Sequence, residues 1–301
     1  MNNYYISVLY SFIMNLKRDG IPTGLGDRIG CYLIFSMLGY IYDKTIYTTW
    51  IYNNIRGGEY PSNILEYINF PNNLKFVSQD EFDKLEYAKL EFRWVYHAFD
   101  QIPETMYKSL YDDKQINCSY EEMLRCYKKA CSEMFYKKTL PGIITTRPGI
   151  IHIRRDDKGC ALNHTPKIIN LLNDPRILKI CQKFIITTDD SREIAQFNDN
   201  KIIKVEFSEN IKIRTLEEFF VYSHCKIIIQ SVGSSGKGAE VGSWGGWSGF
   251  SYIPFQLGLT LYPNDPPIFI SLSEESENTR LTCARKYADR PLFNVLHYHS
   301  V

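Results

Sequence analysis

The sequence lacks any apolar run long enough to cross a bilayer. Its one candidate, Tyr4 to Met14, carries three tyrosines, has no basic region before it, and falls well short of a membrane span. It reads as a buried first strand or helix. Lipidation signals are missing at both ends, so a soluble, cytoplasmic protein is expected, in the host cytoplasm if the chain is viral. The eight cysteines include no C-x-x-C pair and no repeated spacing, which argues against a zinc ribbon or a disulfide framework and fits reduced thiols. The closest group, Cys118, Cys126 and Cys131, has no histidine at ligand spacing, and no metal is expected. A net charge of only +1 gives a nucleic-acid partner no global electrostatic support. Any anion must be held by a local site. Internal repeats and long low-complexity runs are also missing. No G-x-G-x-x-G loop follows a strand, which speaks against a dinucleotide oxidoreductase. Gly236-Lys237 has neither the earlier glycine nor the following Ser or Thr of an ATPase phosphate loop. No Asp-x-Asp stands at a strand end; the adjacent pairs Asp156-Asp157 and Asp189-Asp190 are a different pattern.

What is present is a chain of 301 residues, 44% apolar and 23% charged, enough for two α/β domains with real cores. Its richness in Ile, Asn, Lys and Tyr is typical of AT-rich genomes, including those of large DNA viruses. Two breaker pairs, Leu140-Pro141-Gly142 and Arg147-Pro148-Gly149, mark the expected linker. Residues 1–145 are assigned to an N-terminal, acceptor-side domain and 146–301 to a C-terminal, donor-binding domain, with a last helix packing back on the first. Before the linker the pattern predicts a glycine loop at Thr23 to Gly30, an apolar helix to about Tyr40, a strand around Thr45 to Ile51 and a helix near Tyr120 to Lys138. After it the rhythm becomes regular. Strands are expected at Gly149–Ile153, Phe184–Thr188, Ile202–Val205, Lys226–Ile229 and Pro267–Ile270. Helices are expected at Pro166–Leu172, Ser191–Phe197, Leu216–His224 and Lys237–Ser243. Such alternation implies a parallel sheet covered on both faces, with ligands at the carboxyl ends of its strands.

The residues at those ends stand out. The first strand ends in Ile151-His152-Ile153-Arg154-Arg155-Asp156-Asp157-Lys158-Gly159. Two permanent guanidiniums beside a histidine suit a diphosphate, because arginine grips phosphate oxygens with a planar fork and neutralises a departing charge. An Arg-Asp salt-bridge cluster is the structural alternative. The second strand ends in Thr187-Thr188-Asp189-Asp190, where Asp190 before Ser191 equally suits a helix cap. The strand from Lys226 leads to Ser231-Val232-Gly233-Ser234-Ser235, whose hydroxyls and backbone N–H groups at a helix start suit an anion. Trp244 and Trp247, in a glycine-rich loop, suit either sugar stacking or a domain interface.

His152-Ile153-Arg154-Arg155-Asp156-Asp157-Lys158 resembles the His-x-Arg-Arg-x-Asp signature of the α1,2-, α1,6- and protein O-fucosyltransferase superfamily, above all its α1,6 and nodulation-type branch. Thr23-Gly24-Leu25-Gly26-Asp27-Arg28 resembles that family's N-terminal glycine loop near the donor phosphates. The Asp189-Asp190 strand end and the Ser234-Ser235 loop fall in the family's order. The resemblance implies an α/β fold of GT-B type, two Rossmann-like domains facing across a cleft. It implies an inverting, metal-independent glycosyltransferase that moves fucose from GDP-fucose to a glycan hydroxyl, with no cofactor beyond the GDP-sugar as donor substrate. His152 would be a nucleotide contact, and Arg154 and Arg155 the diphosphate pair. Gly24, Gly26, Arg28, Lys158, Asp189, Asp190, Ser234 and Ser235 would complete the donor site. Where the α1,6 branch carries a glutamate base beyond the lysine, this chain has Cys160, Ala161 and Leu162. Asp157 and Asp27 stand as candidate bases beside Arg154 in the catalytic set, with Glu59 and Asp100 behind them. The same fold with another donor (rhamnose, xylose or hexose), or a non-catalytic nucleotide- or carbohydrate-binding relative, are the competing readings. The partners expected are a nucleotide-sugar donor and a glycan or glycoconjugate acceptor, with no nucleic acid. The stretch from Arg56 to Leu140 carries no resemblance, and the acceptor stays open.

Overall fold

The computed structural model describes residues 25–48, 50, 61, 63–84, 107, 110–111, 116–154, 165–188, 194–197, 200–232, 249–272 and 295–297. The chain divides into two compact units, Met1–Thr139 with Glu209–Leu216, and Leu140–Ser208 with Glu217–Val301.

In the first unit the central element is helix α1 (Leu25–Ile41). Leu25, Ile29, Leu33, Met37 and their neighbours are buried on every side of it, so it is a core helix, not an amphipathic one. This corrects the expected loop over Thr23 to Gly30: from Leu25 onward these residues are helical, because burying Leu25 and Ile29 outweighs the helix cost of Gly26 and Gly30. Strand β1 (Ile46–Thr48) follows, then a 3₁₀ turn at Ile64–Glu66, β2 (Ile68–Asn69), β3 (Leu74–Phe76) and α2 (Gln79–Lys84). β1 pairs with β3 in parallel. Tyr32, Phe70, Phe76 and Trp50 pack as an aromatic cluster beside α1. Helix α3 (Tyr120–Glu133) is capped by Ser119, whose hydroxyl accepts from the Glu122 N–H at 3.2 Å. It ends at Glu133 and not near Lys138. Met134 is extended, and Phe135–Tyr136 forms β4, antiparallel to β2, with Tyr136 inward and Phe135 outward. Glu133 ties this corner together, accepting from the Tyr40 hydroxyl and from the Asn72 N–H.

The second unit opens with a 3₁₀ turn, Gly142–Thr146, closed by Arg147 in a left-handed conformation at φ 48°. Its elements are β5 (Gly149–Arg154), α4 (Thr165–Leu172), α5 (Pro175–Ile180), β6 (Phe184–Thr188), β7 (Ile202–Ile203), the part from Glu217 on of α6 (Ile211–His224), β8 (Ile227–Val232), α7 (Gly249–Leu261), β9 (Ile268–Ser271) and β10 (Val295–His297). The six strands form one sheet in the order β10-β9-β8-β5-β6-β7, with every pair parallel.

Both faces are covered. Ile151, Ile153, Ile227, Ile229 and Ile270 form one core with Ile168, Leu171 and Leu172 of α4 and Ile177 of α5. On the opposite face Phe269 meets Tyr252 and Phe255 of α7, and Thr187 meets Tyr222 of α6. The expected alternation of short apolar strands and helices is therefore a parallel α/β sheet. Among the expected elements, β7 is shorter than Ile202–Val205. β8 runs past Ile229 to Val232, and α6 starts at Ile211, where the Asn210 side chain accepts from the Lys212 N–H at 3.0 Å. Helix α5 went unforeseen. The helix expected at Lys237–Ser243, most of that at Ser191–Phe197, the segment Tyr4 to Met14, and a last helix packing back lie outside the described residues.

Candidate functional site

The strand order has one point of reversal. Counted along the chain of this unit, the strands lie 3-2-1-4-5-6, with β5 as the first and β8 as the fourth. The helices between β5 and β6 cover one face, and those flanking β8 cover the other. β5 and β8 thus lead to helices on opposite faces, and the topological switch point, outside whose carboxyl ends open α/β sheets bind ligands, lies between them. Arg154 is the last residue of β5 and stands opposite Val232, the last of β8; Ile153 stands opposite Ser231.

Two residues before these ends, the register aligns His152 and Gln230 with Thr187 and Ser271 across four adjacent strands, and His297 of β10 stands opposite Ser271. Up to this polar row the strands are isoleucine and phenylalanine, apart from Gly149 and the Val295-Leu296 of β10. The described side chains of the row are buried and hydrogen-bonded, as buried polar groups must be. The Ser251 hydroxyl, in the first turn of α7, donates to Gln230 Oε1 at 2.7 Å and lies 3.3 Å from His152 Nδ1. Thr187 Oγ1 and the Tyr222 hydroxyl share a short hydrogen bond. The His152 ring is packed edge-on to Tyr222 at 5.8 Å and tilted against Phe250 at 5.7 Å. His152 keeps 8% of its surface exposed, while Gln230 and Ser251 keep none. Helix α7 begins at Gly249, so its N-terminus lies beside His152, where the helix dipole favours negative charge.

The residues singled out from the sequence fall as follows. His152 and Arg154 lie on β5 at the switch point. Arg155, Asp157 and Lys158 follow β5 in the chain, Asp189 and Asp190 follow β6, and Ser234 and Ser235 follow β8; all lie outside the described residues, as do Gly24, Glu59, Asp100, Trp244 and Trp247. Gly26, Asp27 and Arg28 form the first turn of α1. Arg28 is buried, with its guanidinium 5.7 Å from the centre of the Trp50 ring. Gln230, Ser251, Tyr222 and Thr187 were missed. Gln230 had a signal: it interrupts the run Ile227-Ile228-Ile229 where a buried strand has no use for an amide.

Among the described residues no group of three or more His, Cys, Asp or Glu is placed to hold a metal ion. The cysteines of α3 face its core. Burial pushes the Cys131 thiol up to about 12 and raises Cys126 as well, which keeps both protonated and poor as ligands. No described helix is long and apolar enough to cross a membrane.

No family model and no curated protein matches the chain. The chain is similar to solved structures of the NodZ α-1,6-fucosyltransferase. One, soaked with GDP-fucose, overlaps at TM-score 0.49 and 12% identity over 85% of this chain and 93% of the other. Another, NodZ from Bradyrhizobium, overlaps at TM-score 0.47 and 13% identity over 84% and 93%. A third, co-crystallised with GDP, overlaps at TM-score 0.44 and 14% identity over 84% and 92%.

Proposed function

We propose that the chain is an inverting, metal-independent glycosyltransferase of GT-B type that transfers fucose from GDP-fucose to a glycan hydroxyl. The observation that carries this reading is the position of His152-Ile153-Arg154, the described part of the motif: it closes β5 at the switch point of a parallel sheet with nucleotide-binding strand order. The N-terminus of α7 beside His152 favours an anion at the same edge. On this reading residues 1–145 hold the acceptor and 146–301 the donor, hinged near Pro141 to Pro148. A base removes the acceptor proton, the acceptor oxygen forms its bond to the anomeric carbon, and GDP leaves with the electrons of the broken bond. Arg154 or Arg155 stabilises the charge growing on the diphosphate. Asp157 and Asp27 are the candidate bases, with Lys158, Gly24, Gly26, Arg28, Asp189, Asp190, Ser234 and Ser235 completing the donor contacts.

Calorimetry with GDP, UDP and TDP in the presence of chelator tests the donor half. GDP is expected to bind most tightly, with the same affinity with or without chelator. Loss of binding on chelation contradicts the metal-free site, and a preference for UDP or TDP contradicts the donor. Hydrolysis of GDP-fucose without acceptor distinguishes an enzyme from a non-catalytic relative.

A further inference from the structure

We propose that Ser251 and Gln230 are positioning residues that set the tautomer of His152, placing its proton on Nδ1 and turning Nε2 into a hydrogen-bond acceptor. The nucleotide half of this inference rests on the reading of the switch point as a donor site; the tautomer does not. A serine hydroxyl has a single proton. That of Ser251 is given to Gln230 Oε1 at 2.7 Å, so toward His152 Nδ1, at 3.3 Å, the same oxygen can act only as acceptor. A neutral imidazole carries one proton, and if Nδ1 donates it, Nε2 presents a lone pair. Gln230 is fully buried in the middle of the sheet and Ser251 in the first turn of α7, so both are locked by packing. In its neutral form His152 therefore accepts from a ring N–H, an amino group or a hydroxyl of the ligand. A phosphate oxygen, itself only an acceptor, is turned away and left to the arginines. The buried amide of Gln230 thus selects for the base or sugar end of a nucleotide at His152.

The test is a long-range proton–nitrogen correlation spectrum of the histidine-labelled full chain, recorded above the imidazole titration and assigned by comparison with His152→Gln. The Nδ1–H pattern is expected for His152 in the wild type; the Nε2–H pattern overturns the proposal. Gln230→Met removes the acceptor and frees the Ser251 proton to turn toward Nδ1, so the signal should switch to Nε2–H. Retention of Nδ1–H in this variant contradicts the role given to Gln230. If that variant does not fold, Ser251→Ala, which removes the acceptor of the Nδ1 proton, is expected to give the same switch, and Ser251→Thr to restore the wild-type pattern. Added GDP should shift the Nε2 resonance, and Gln230→Met should weaken GDP by up to about tenfold, the scale of one neutral hydrogen bond. GDP binding that leaves the His152 signals unmoved contradicts the nucleotide half. Absence of GDP binding with the Nδ1–H pattern intact overturns the donor-site reading and leaves the tautomer assignment standing.

Discussion

Gly149, the first residue of β5, has no room for a side chain: an added Cβ would stand inside the envelope of the Phe184 ring, which is fully buried on the neighbouring strand. Gly149→Ala is expected to cost about 1–3 kcal/mol through overpacking, read as a lower urea midpoint with unchanged slope. Adjacent strand residues do not face one ligand unless the strand ends between them; β5 ends at Arg154, so the diphosphate role proposed for the motif is open to Arg154 and Arg155 alike. Arg154→Ala is expected to fold normally and lower turnover by a few orders of magnitude, the scale of phosphate-clamping arginines. Arg154→Lys should recover only part, since it restores charge without the planar fork. Near wild-type turnover in alanine variants of both Arg154 and Arg155 contradicts the diphosphate role of the motif.

Among the elements, those with a plain period were legible and those with a mixed one were not. Phe184–Thr188 is an apolar run of strand length, and its limits were read from the sequence unchanged. Helix α7 was missed because Pro254 and Gly258 punctuate it. It forms because nearly every residue from Ser251 to Gly258 is buried against the sheet or α6, and Gly258 lets its backbone approach the Ser223 carbonyl, 2.8 Å from where a Cβ would stand. The start of α5 was readable in principle: Asp174 accepts from the Arg176 N–H at 2.8 Å, with Pro175 in the first turn. The motif His152 to Arg154 was visible as a run of basic residues at a strand end. The support beneath it, Gln230 and Ser251, is assembled by strand register and helix packing, which no local pattern encodes.

The amino-terminal edge of the sheet has its own clasp. Arg147 stacks 3.7 Å from the centre of the Tyr262 ring and donates to the carbonyl and carboxylate of Asp265, which also meets Lys226 at 3.2 Å. The Tyr262 hydroxyl lies 2.8 Å from His224 Nδ1. Burial first, and then the Arg147 charge, hold the His224 imidazole below its ordinary pKa of 6.5. As the pH falls below that value the unfolded chain takes up the proton before the folded one, so the contribution of His224 is complete above about pH 6.5 and is lost below it. The thermal midpoint is expected to drop between pH 7.5 and 5.5, and to drop less in His224→Asn; an equal drop in both contradicts the account.

At the scale of the whole molecule, the second unit is a doubly wound parallel sheet, and the first unit is built around α1 and α3. What the sequence left open is the acceptor of the proposed reaction, because the chain from Arg56 to Leu140 carries no chemical motif. The central claim concerns the other substrate and is tested most directly by a crystal structure of the chain soaked with GDP. The diphosphate is expected outside the carboxyl ends of β5 and β8, held by Arg154 or Arg155 and by the Ser234-Ser235 segment, with no metal ion between its oxygens. GDP found at another edge of the sheet, or no bound GDP at saturating concentration, contradicts it.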